Sequence, residues 1–540
     1  MSERETRPRR GLPPEEYPGG AASGDDGWDA SVPMSKHGSY VNDPEPAGHE
    51  GSFGRSLALT TLSAIVPGSG LLGARRAWAK AVGAVTSLLF IAAIGLLGWS
   101  AYSDLGALAG VAVDPDQLRR LSLILIGVGA VWVTLIAGTQ VLTRPSRLGP
   151  TKKAVGAALV TILSLIISTP VAVAARYSFD QKKLVETVFQ GQDQVKATSR
   201  PTIVPTESNP WEDHPRLNIL LLGGDNAESR DAKYGLRTDT IMLASIDTST
   251  GGTTIIQIPR NVQFTPFPKG SEMKKLFPRG FRGPGDEAEW YVNSIWDAVE
   301  RGDYPDVFAG QTYRGAEALK QGVEGITGLK VDYFVLLNID GIQKLIDAMG
   351  GVTVNINERL PIAGNTDGKK PTAYLEPGPD RHLDGYHAMW YARSRSESTD
   401  YDRMARQSCL VNAIIQQANP ATILTSYEAI AAASADMVLT DIPQEVLQPM
   451  VKLSLKVQGS DVERLVFAPG KNGYSYANPD FEAMRQAVQD AIATPAAPST
   501  PTSTTSPTTT APTASTDTSA PPTIVDGSQS VTDACAYNPK

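Results

Sequence analysis

The stretch LNILLLGGDNAESRDAKYGLRTDTIMLASIDTSTGGTTIIQIPRN, residues 217–261, decides the fold. Leu217 to Leu222 is a short apolar run that stops at Gly223 and Gly224, the pattern of a buried strand delivering Asp225 into the loop at its end. Ile241 to Asp247 and Thr253 to Ile258 are two further strand-like runs, joined by the turn formers Ser249, Gly251 and Gly252. The rims of these strands carry two carboxylates, Asp225 and Asp239, and two guanidiniums, Arg237 and Arg260. They form one site if the loops converge.

Downstream, strand and helix patterns alternate. Ala316 to Thr327 reads as a helix, Tyr333 to Asn338 as a strand, Ile342 to Met349 as a helix ended by Gly350 and Gly351, and Val352 to Ile356 as a strand. The alternation predicts an α/β sandwich with helices on both faces of the sheet. Ligands of such folds gather at strand ends, where Asp225, Arg237, Asp239 and Arg260 stand.

A second cluster runs from Met389 to Pro420, MWYARSRSESTDYDRMARQSCLVNAIIQQANP. Read as extended, Met389 to Arg395 projects Tyr391, Arg393 and Arg395 to one side, and like charges so placed call for an anion. A helix follows from about Asp402 to Gln417, with Asp400 as its expected cap. Arg403 and Gln407 lie one turn apart on it, with Arg406 adjacent. Each of these residues alone is an ordinary surface ion pair, turn or cap. Taken together, arginines suited to phosphate oxygens and a carboxylate needing a cation beside a polyanion point to a metal-assisted diphosphate site. That site comprises Arg260, Arg393, Arg395, Arg403 and Asp239.

The rest of the chain supplies context. At 540 residues it exceeds what one core usually supports. A net charge of -8 argues against nucleic acid as a partner. Cys409 and Cys535 are the only cysteines, one in a predicted helix and one near the end, so no disulfide framework is expected. The five histidines contain no HExxH pair.

Residues 1–55 are expected to be a disordered cytoplasmic tail and residues 56–176 a membrane region. Within the latter, 81–102, 121–142 and 154–175 are each long enough to cross ~30 Å of hydrocarbon as a helix. Residues 57–73, broken by Pro67 and three glycines, read as re-entrant or interfacial. Gly68, Gly70 and Gly73 form a nominal GxGxxG but lack the strand and acidic partner of a dinucleotide site. Arg75, Arg76 and Lys80, with Arg144, Arg147, Lys152 and Lys153, place the N-terminus in the cytoplasm and everything after Arg176 outside. Residues 177–216 read as a stalk, 217–493 as the globular domain, and 494–540, rich in Thr, Pro and Ser, as a disordered spacer within the cell wall.

The ordered set GGD, RTDT, IPRN, YVN, DAMGGVTV, LDGYHAMWYARSR and DYDRMARQ resembles the LytR-CpsA-Psr family of Gram-positive envelope enzymes across about Leu217 to Asn419. The resemblance implies an α/β fold of three α/β/α layers with a central mixed sheet, preceded by transmembrane helices, and a deep apolar pocket for a polyprenyl chain with an arginine-lined mouth for its diphosphate. It implies transfer of an envelope glycopolymer, such as teichoic acid or arabinogalactan, from a polyprenyl-diphosphate carrier to the 6-hydroxyl of N-acetylmuramic acid in peptidoglycan. Carried over by motif, Asp225 and Asp239 match the acidic positions associated with Mg2+ (or Mn2+). Arg237, Arg260, Arg393, Arg395, Arg403 and Gln407 match those gripping the diphosphate, and Asp225, Asp239, Arg237 and Arg260 are the expected catalytic set. Asp225 is the candidate for orienting or deprotonating the acceptor. The usual PRD is here Pro259, Arg260 and Asn261. The segment between Thr265 and Trp290 reads as a mobile loop over the entrance. Two other classes use the same residues differently or not at all, a lipid-diphosphate pyrophosphatase and a non-enzymatic envelope regulator.

Overall fold

A computed structural model describes residues 52–103, 106, 110–204, 209–224, 237–364, 370–395, 399–417, 438–493 and 524–539. The tail through residue 51, Asp225 with the loop to residue 236, and residues 494–523 of the Thr/Pro/Ser-rich stretch lie outside the described residues.

The quoted stretch forms the middle of the sheet. β1 (Arg216–Gly224), β2 (Thr238–Asp247) and β3 (Thr253–Ile258) run antiparallel in succession, with Leu217 opposite Ile246 and Leu243 opposite Ile256. β4 (Tyr333–Asn338) lies parallel to β1 and β9 (Val438–Thr440) antiparallel to β4. On the other flank β10 (Val462–Val466) pairs parallel with β3 and antiparallel with β11 (Gln529–Ser530), giving a mixed seven-stranded sheet in the order β11-β10-β3-β2-β1-β4-β9. Two ribbons stand apart, β5 (Val352–Ile356) with β8 (Gly378–Leu383) and β6 (Leu360–Ile362) with β7 (Ala373–Leu375).

Strand alternation sends Leu220 and Leu222 to one sheet face. There, with Leu243 and Ile256, they pack against Trp296 of α6 (Ile295–Glu300), Leu319 and Val323 of α7 (Arg314–Thr327) and Met484 and Val488 of α12 (Phe481–Ala493). Each such buried aliphatic side chain contributes about 1.5–3 kcal/mol. Leu217, Ile219 and Leu221 face the opposite way, toward α10 (Asp400–Gln417) and α11 (Leu447–Gln458), with a cavity between.

Among the described residues, three helices are long and apolar enough to cross a membrane: α2 (Ala77–Ser103), α3 (Pro115–Thr143) and α4 (Pro150–Val188). The last continues 13 residues past Ala175 into what the sequence suggests is a stalk. α1 (Phe53–Ile65) has 13 residues, about 20 Å, too short to span. Hydroxyls pin it to α3, with Ser56 Oγ and Thr60 Oγ1 donating to Gln140 Oε1 at 3.2 and 2.7 Å. Beyond it, a Cβ on Gly70 would lie 2.0 Å from the Leu59 carbonyl oxygen, so this glycine of the GxGxxG serves close packing.

Four expectations are corrected. Met389 to Arg395 is not extended: α9 (Gly385–Arg393) occupies it, started by Asp384, whose Oδ1 accepts from His387 N at 2.8 Å. The cap of α10 is Thr399 rather than Asp400. Its Oγ1 accepts from Asp402 N at 3.1 Å while Asp402 Oδ2 accepts from Thr399 N at 2.9 Å, a reciprocal capping box. The segment from Thr265 to Trp290 is not a free loop. α5 (Glu272–Leu276) lies within it, and Phe267, Met273, Phe277 and Phe281 are buried, with the Phe277 and Phe281 rings 5.1 Å apart.

The fourth correction concerns the cysteines. Cys409 of α10 and Cys535 form a disulfide across 126 residues of sequence. The C-terminal segment around Cys535 is ordered, with β11 (Gln529–Ser530) pairing with β10 and α13 (Val531–Ala534) following. Val531 is fully buried, which supplies the apolar anchor that the Thr/Pro/Ser-rich composition obscures.

A buried charge pair ties the segment before β1 to the domain. Lys320 of α7 and Asp441, each 1% exposed, form an ion pair. Lys320 Nζ also bonds Ser199 Oγ at 2.6 Å, and Asp441 Oδ1 accepts from Phe334 N at 2.8 Å. Lys320→Met should cost ~3–5 kcal/mol because it strands a buried carboxylate. Chemical denaturation checks this, and adding Asp441→Leu should recover part of the loss.

Candidate functional site

The site is built where β1 ends, β2 begins and β3 has just finished. Asp239 is the second residue of β2, and its half-buried carboxylate receives two donors on one oxygen. Arg260 Nη1, just past β3, donates to Asp239 Oδ1 at 3.0 Å, and Asn293 Nδ2 donates to the same atom at 3.3 Å. From the helical layer, buried Arg403 donates Nη2 to the Asp239 carbonyl oxygen at 3.3 Å and pairs with Asp400 at 3.1 Å. Arg395 Nη1 reaches Asp400 Oδ1 at 3.4 Å. One turn beyond Arg403, Gln407 Nε2 donates to Thr240 Oγ1 at 2.9 Å, which locks α10 against the start of β2.

Arg237, Asp239, Arg260, Arg393, Arg395, Arg403 and Gln407 all line one cavity of about 1410 Å³. Arg393 comes from the last turn of α9, 5.9 Å over the Trp390 ring, and Arg237 from the exposed residue before β2. Beyond this charged end the walls are apolar, with Ile219, Leu221 and Met242 from the sheet and Leu410, Ile414 and Leu453 from α10 and α11.

Two residues near the site take other roles. Arg406 is buried away from the cavity, donating Nε to the Tyr391 carbonyl at 2.8 Å and Nη1 to Glu358 at 3.2 Å, so it fastens α10 to α9. Asn261 Oδ1 accepts from Tyr474 Oη at 3.4 Å and does not line the cavity. Asn293 and the counter-ion role of Asp400 escape sequence reasoning. Asn293 stands in YVN with no charge to mark it, and Asp400 looks like a cap by position.

Electrostatics make the mouth a poised anion receiver. Burial pushes the Asp239 carboxyl up, but the charge and hydrogen bond of Arg260, the charge of Arg403 and the Asn293 hydrogen bond hold it below the usual carboxylate range. Burial, with Arg260 and Arg395 adding repulsion against the pull of Asp400 and Asp239, lowers Arg403 to about 10, still charged at neutral pH. The buried Arg403 Nε finds no acceptor among the described residues. A guanidinium crowded by like charges and left one hydrogen bond short is chemically suited to an oxyanion partner. Arg403→Lys, which keeps the charge but loses the planar fork, should weaken binding of inorganic diphosphate about 10- to 100-fold by titration calorimetry.

The carboxylate also fits a divalent cation. No hydrogen bond among the described residues reaches Asp239 Oδ2, so that oxygen is available beside the arginines. Mg2+ takes one or two carboxylates together with phosphate oxygens and waters, which suits a single free carboxylate oxygen at an anion-binding mouth. Among the described residues no group of three acidic, histidine or cysteine side chains forms a dedicated metal cage.

An α/β/α domain behind membrane-length helices, with an arginine-rich mouth opening on an apolar cavity, defines the class of protein. The sequence model of the LytR_cpsA_psr family matches residues 181–492, more than half of the 540, and the chain belongs to that family. A relative in Enterococcus faecalis, named polyisoprenyl-teichoic acid--peptidoglycan teichoic acid transferase TagU, is 22% identical over 347 residues, 63% of this chain and 96% of that protein. Biofilm regulatory protein A of Streptococcus mutans is 25% identical over 233 residues, 43% of this chain and 51% of that protein. The crystal structure of Bacillus subtilis TagV aligns with 51% of this chain and 96% of its own at 19% identity and a TM-score of 0.36.

Proposed function

We propose that this protein is a membrane-anchored phosphotransferase that moves an envelope glycopolymer from a polyprenyl-diphosphate carrier to peptidoglycan, with Mg2+ assisting. The observation that carries the reading is the joint lining of one apolar cavity by Arg237, Arg260, Arg393, Arg395, Arg403 and Asp239, from well-separated parts of the chain. The cavity takes an apolar tail and the arginines take its diphosphate, a combination that a soluble phosphate ester does not need. Family membership and the names of the transferase relatives support the same reading.

In this mechanism a peptidoglycan hydroxyl, the 6-hydroxyl of N-acetylmuramic acid, attacks the phosphorus that bears the glycan. A new O–P bond forms, the bridging P–O bond breaks, and polyprenyl phosphate leaves, so the glycan ends in a phosphodiester. Arg260 and Arg403, held by Asp239 and Asp400, offset charge on the equatorial and leaving oxygens. Asp225 receives the hydroxyl proton. Magnesium, where bound by Asp239 with Asp225, would supply further charge neutralisation at the phosphate oxygens.

Incubating the full chain in detergent with synthetic polyprenyl-diphosphate glycans and peptidoglycan oligomers, with and without Mg2+, tests the reading by mass spectrometry. Acceptor-dependent phosphodiester formation supports it. Release of glycan phosphate with no dependence on acceptor would instead make the protein a pyrophosphatase.

A further inference from the structure

The segment between the first two membrane-length helices does more than connect them. The Ala112 carbonyl accepts a hydrogen bond from Gln181 Nε2 of α4 at 2.8 Å. Val113 packs against the apolar cluster that contains Leu217, Ile246, Leu453 and Val457. Gly110 sits against the side chain of Gln448 on α11. Ala112, Val113 and Gln181 therefore line one end of the same cavity whose other end carries the arginines.

Strand register separates those two ends. Leu217 and Ile246 face each other at the start of β1, whereas Gly224 pairs with Thr238 at its finish, beside Asp239. Seven residue steps along β1 amount to roughly 23 Å. The end lined by Ala112 and Val113 is also the membrane end. Gln181 follows the apolar run of α4, which stops at Ala175, by six residues or about 9 Å, with the exposed Arg176–Asp180 ion pair between them.

We propose that residues 110–113 and α4 form a port through which the isoprenoid chain of the substrate passes between the cavity and the bilayer. The proposal rests on the transferase reading for its ligand. A chain longer than the cavity meets the apolar wall of Val113, Leu217 and Leu453 at this end, whereas the other end is lined by arginines. The diphosphate then reaches the arginines while the tail stays in lipid, and the lipid is never wholly extracted into water. Ala112 lines the cavity at this end, and the bond from Gln181 to its carbonyl fixes it against α4. The membrane region thus shapes the substrate path as well as holding the domain at the surface.

The test uses the full chain in lipid vesicles with two donors carrying the same glycan, one on farnesyl diphosphate and one on decaprenyl diphosphate. Ala112→Trp should lower the ratio of kcat/KM for the long donor over the short one by about tenfold or more, because bulk at the port obstructs only a chain that must pass it. An unchanged ratio overturns the port. A decaprenyl diphosphate with a photoreactive group midway along its chain should crosslink the unmodified protein within 110–113 or α4 near Gln181, located by peptide mass spectrometry. Crosslinks confined to the sheet face and α10 overturn the proposal. Failure of the unmodified chain to turn over either donor sinks the transferase reading alone, and the crosslink position still decides the port.

Discussion

Asp239→Asn in the full chain should reduce transfer by about 10²–10³-fold while shifting the thermal midpoint little. The substitution keeps the shape and one acceptor oxygen, so the contacts with Arg260 and Asn293 persist in weakened form. What disappears is the negative charge that orients two guanidiniums and offers an oxygen to a cation, a loss of the size seen when one preorganised electrostatic partner is removed. Arg260→Ala should fall in the same range, and the double variant should be scarcely worse than either, because the two act as a unit. The pH profile follows from the direction of the Asp239 shift. Its folded pKa is depressed, so the Asp239–Arg260 pair is present above the ordinary carboxylate value of 3.8 and is lost only as pH falls through the lower folded value. An acid limb of activity between pH 5 and 7 must then come from another group, and its persistence in variants of Asp239 with residual activity would confirm that assignment. Unchanged acceptor-dependent transfer by Asp239→Asn would remove the foundation of the proposed chemistry.

Reducing the Cys409–Cys535 bond should lower the thermal midpoint by roughly 5–15 °C, corresponding to ~2–4 kcal/mol for a bridge that closes a long loop. The sequence separation of 126 residues gives a large constraint on the unfolded chain. A second cost adds to it, since Arg464 is 1% exposed and donates Nη2 to Gln529 Oε1 at 3.0 Å, a partner held in place by the bridged segment. Cys409→Ser, Cys535→Ser and the double variant should melt alike, and reductant should then have no further effect. Scanning calorimetry of the full chain in detergent, with and without reductant, decides the matter. A midpoint that ignores reductant would mean that β11 and the buried Val531 hold the segment unaided.

How much of this was readable depended on how local the cause was. The strands at 217–222, 241–247 and 253–258 were legible because apolar runs end on Gly223, Gly224 and the Ser249 to Gly252 turn. Arg403 and Gln407 were legible as neighbours because helical spacing alone puts them one turn apart. Arg393 and Arg395 look extended in the sequence because their alternation with Ala392 and Ser394 mimics period two. A nine-residue helix begun by Asp384 is too short to show a period of its own. Partners created by folding leave no local trace, which is why nothing in the sequence around Cys535 marks its pairing with Cys409. The aromatic run through Phe267, Phe277 and Phe281 was masked by intervening Lys, Arg and Pro, although its rings bury together.

The bridge to Cys535 also changes what a protease can do to this molecule. Residues 494–523 join α12 to a segment that is itself fastened to α10, so both ends of that stretch belong to the folded domain. A single cut inside it therefore releases nothing. The severed piece should remain with the parent on a gel run without reductant and separate only when thiol is added, so damage in this stretch is borne without loss of the β11 edge or of the helix that carries Arg403.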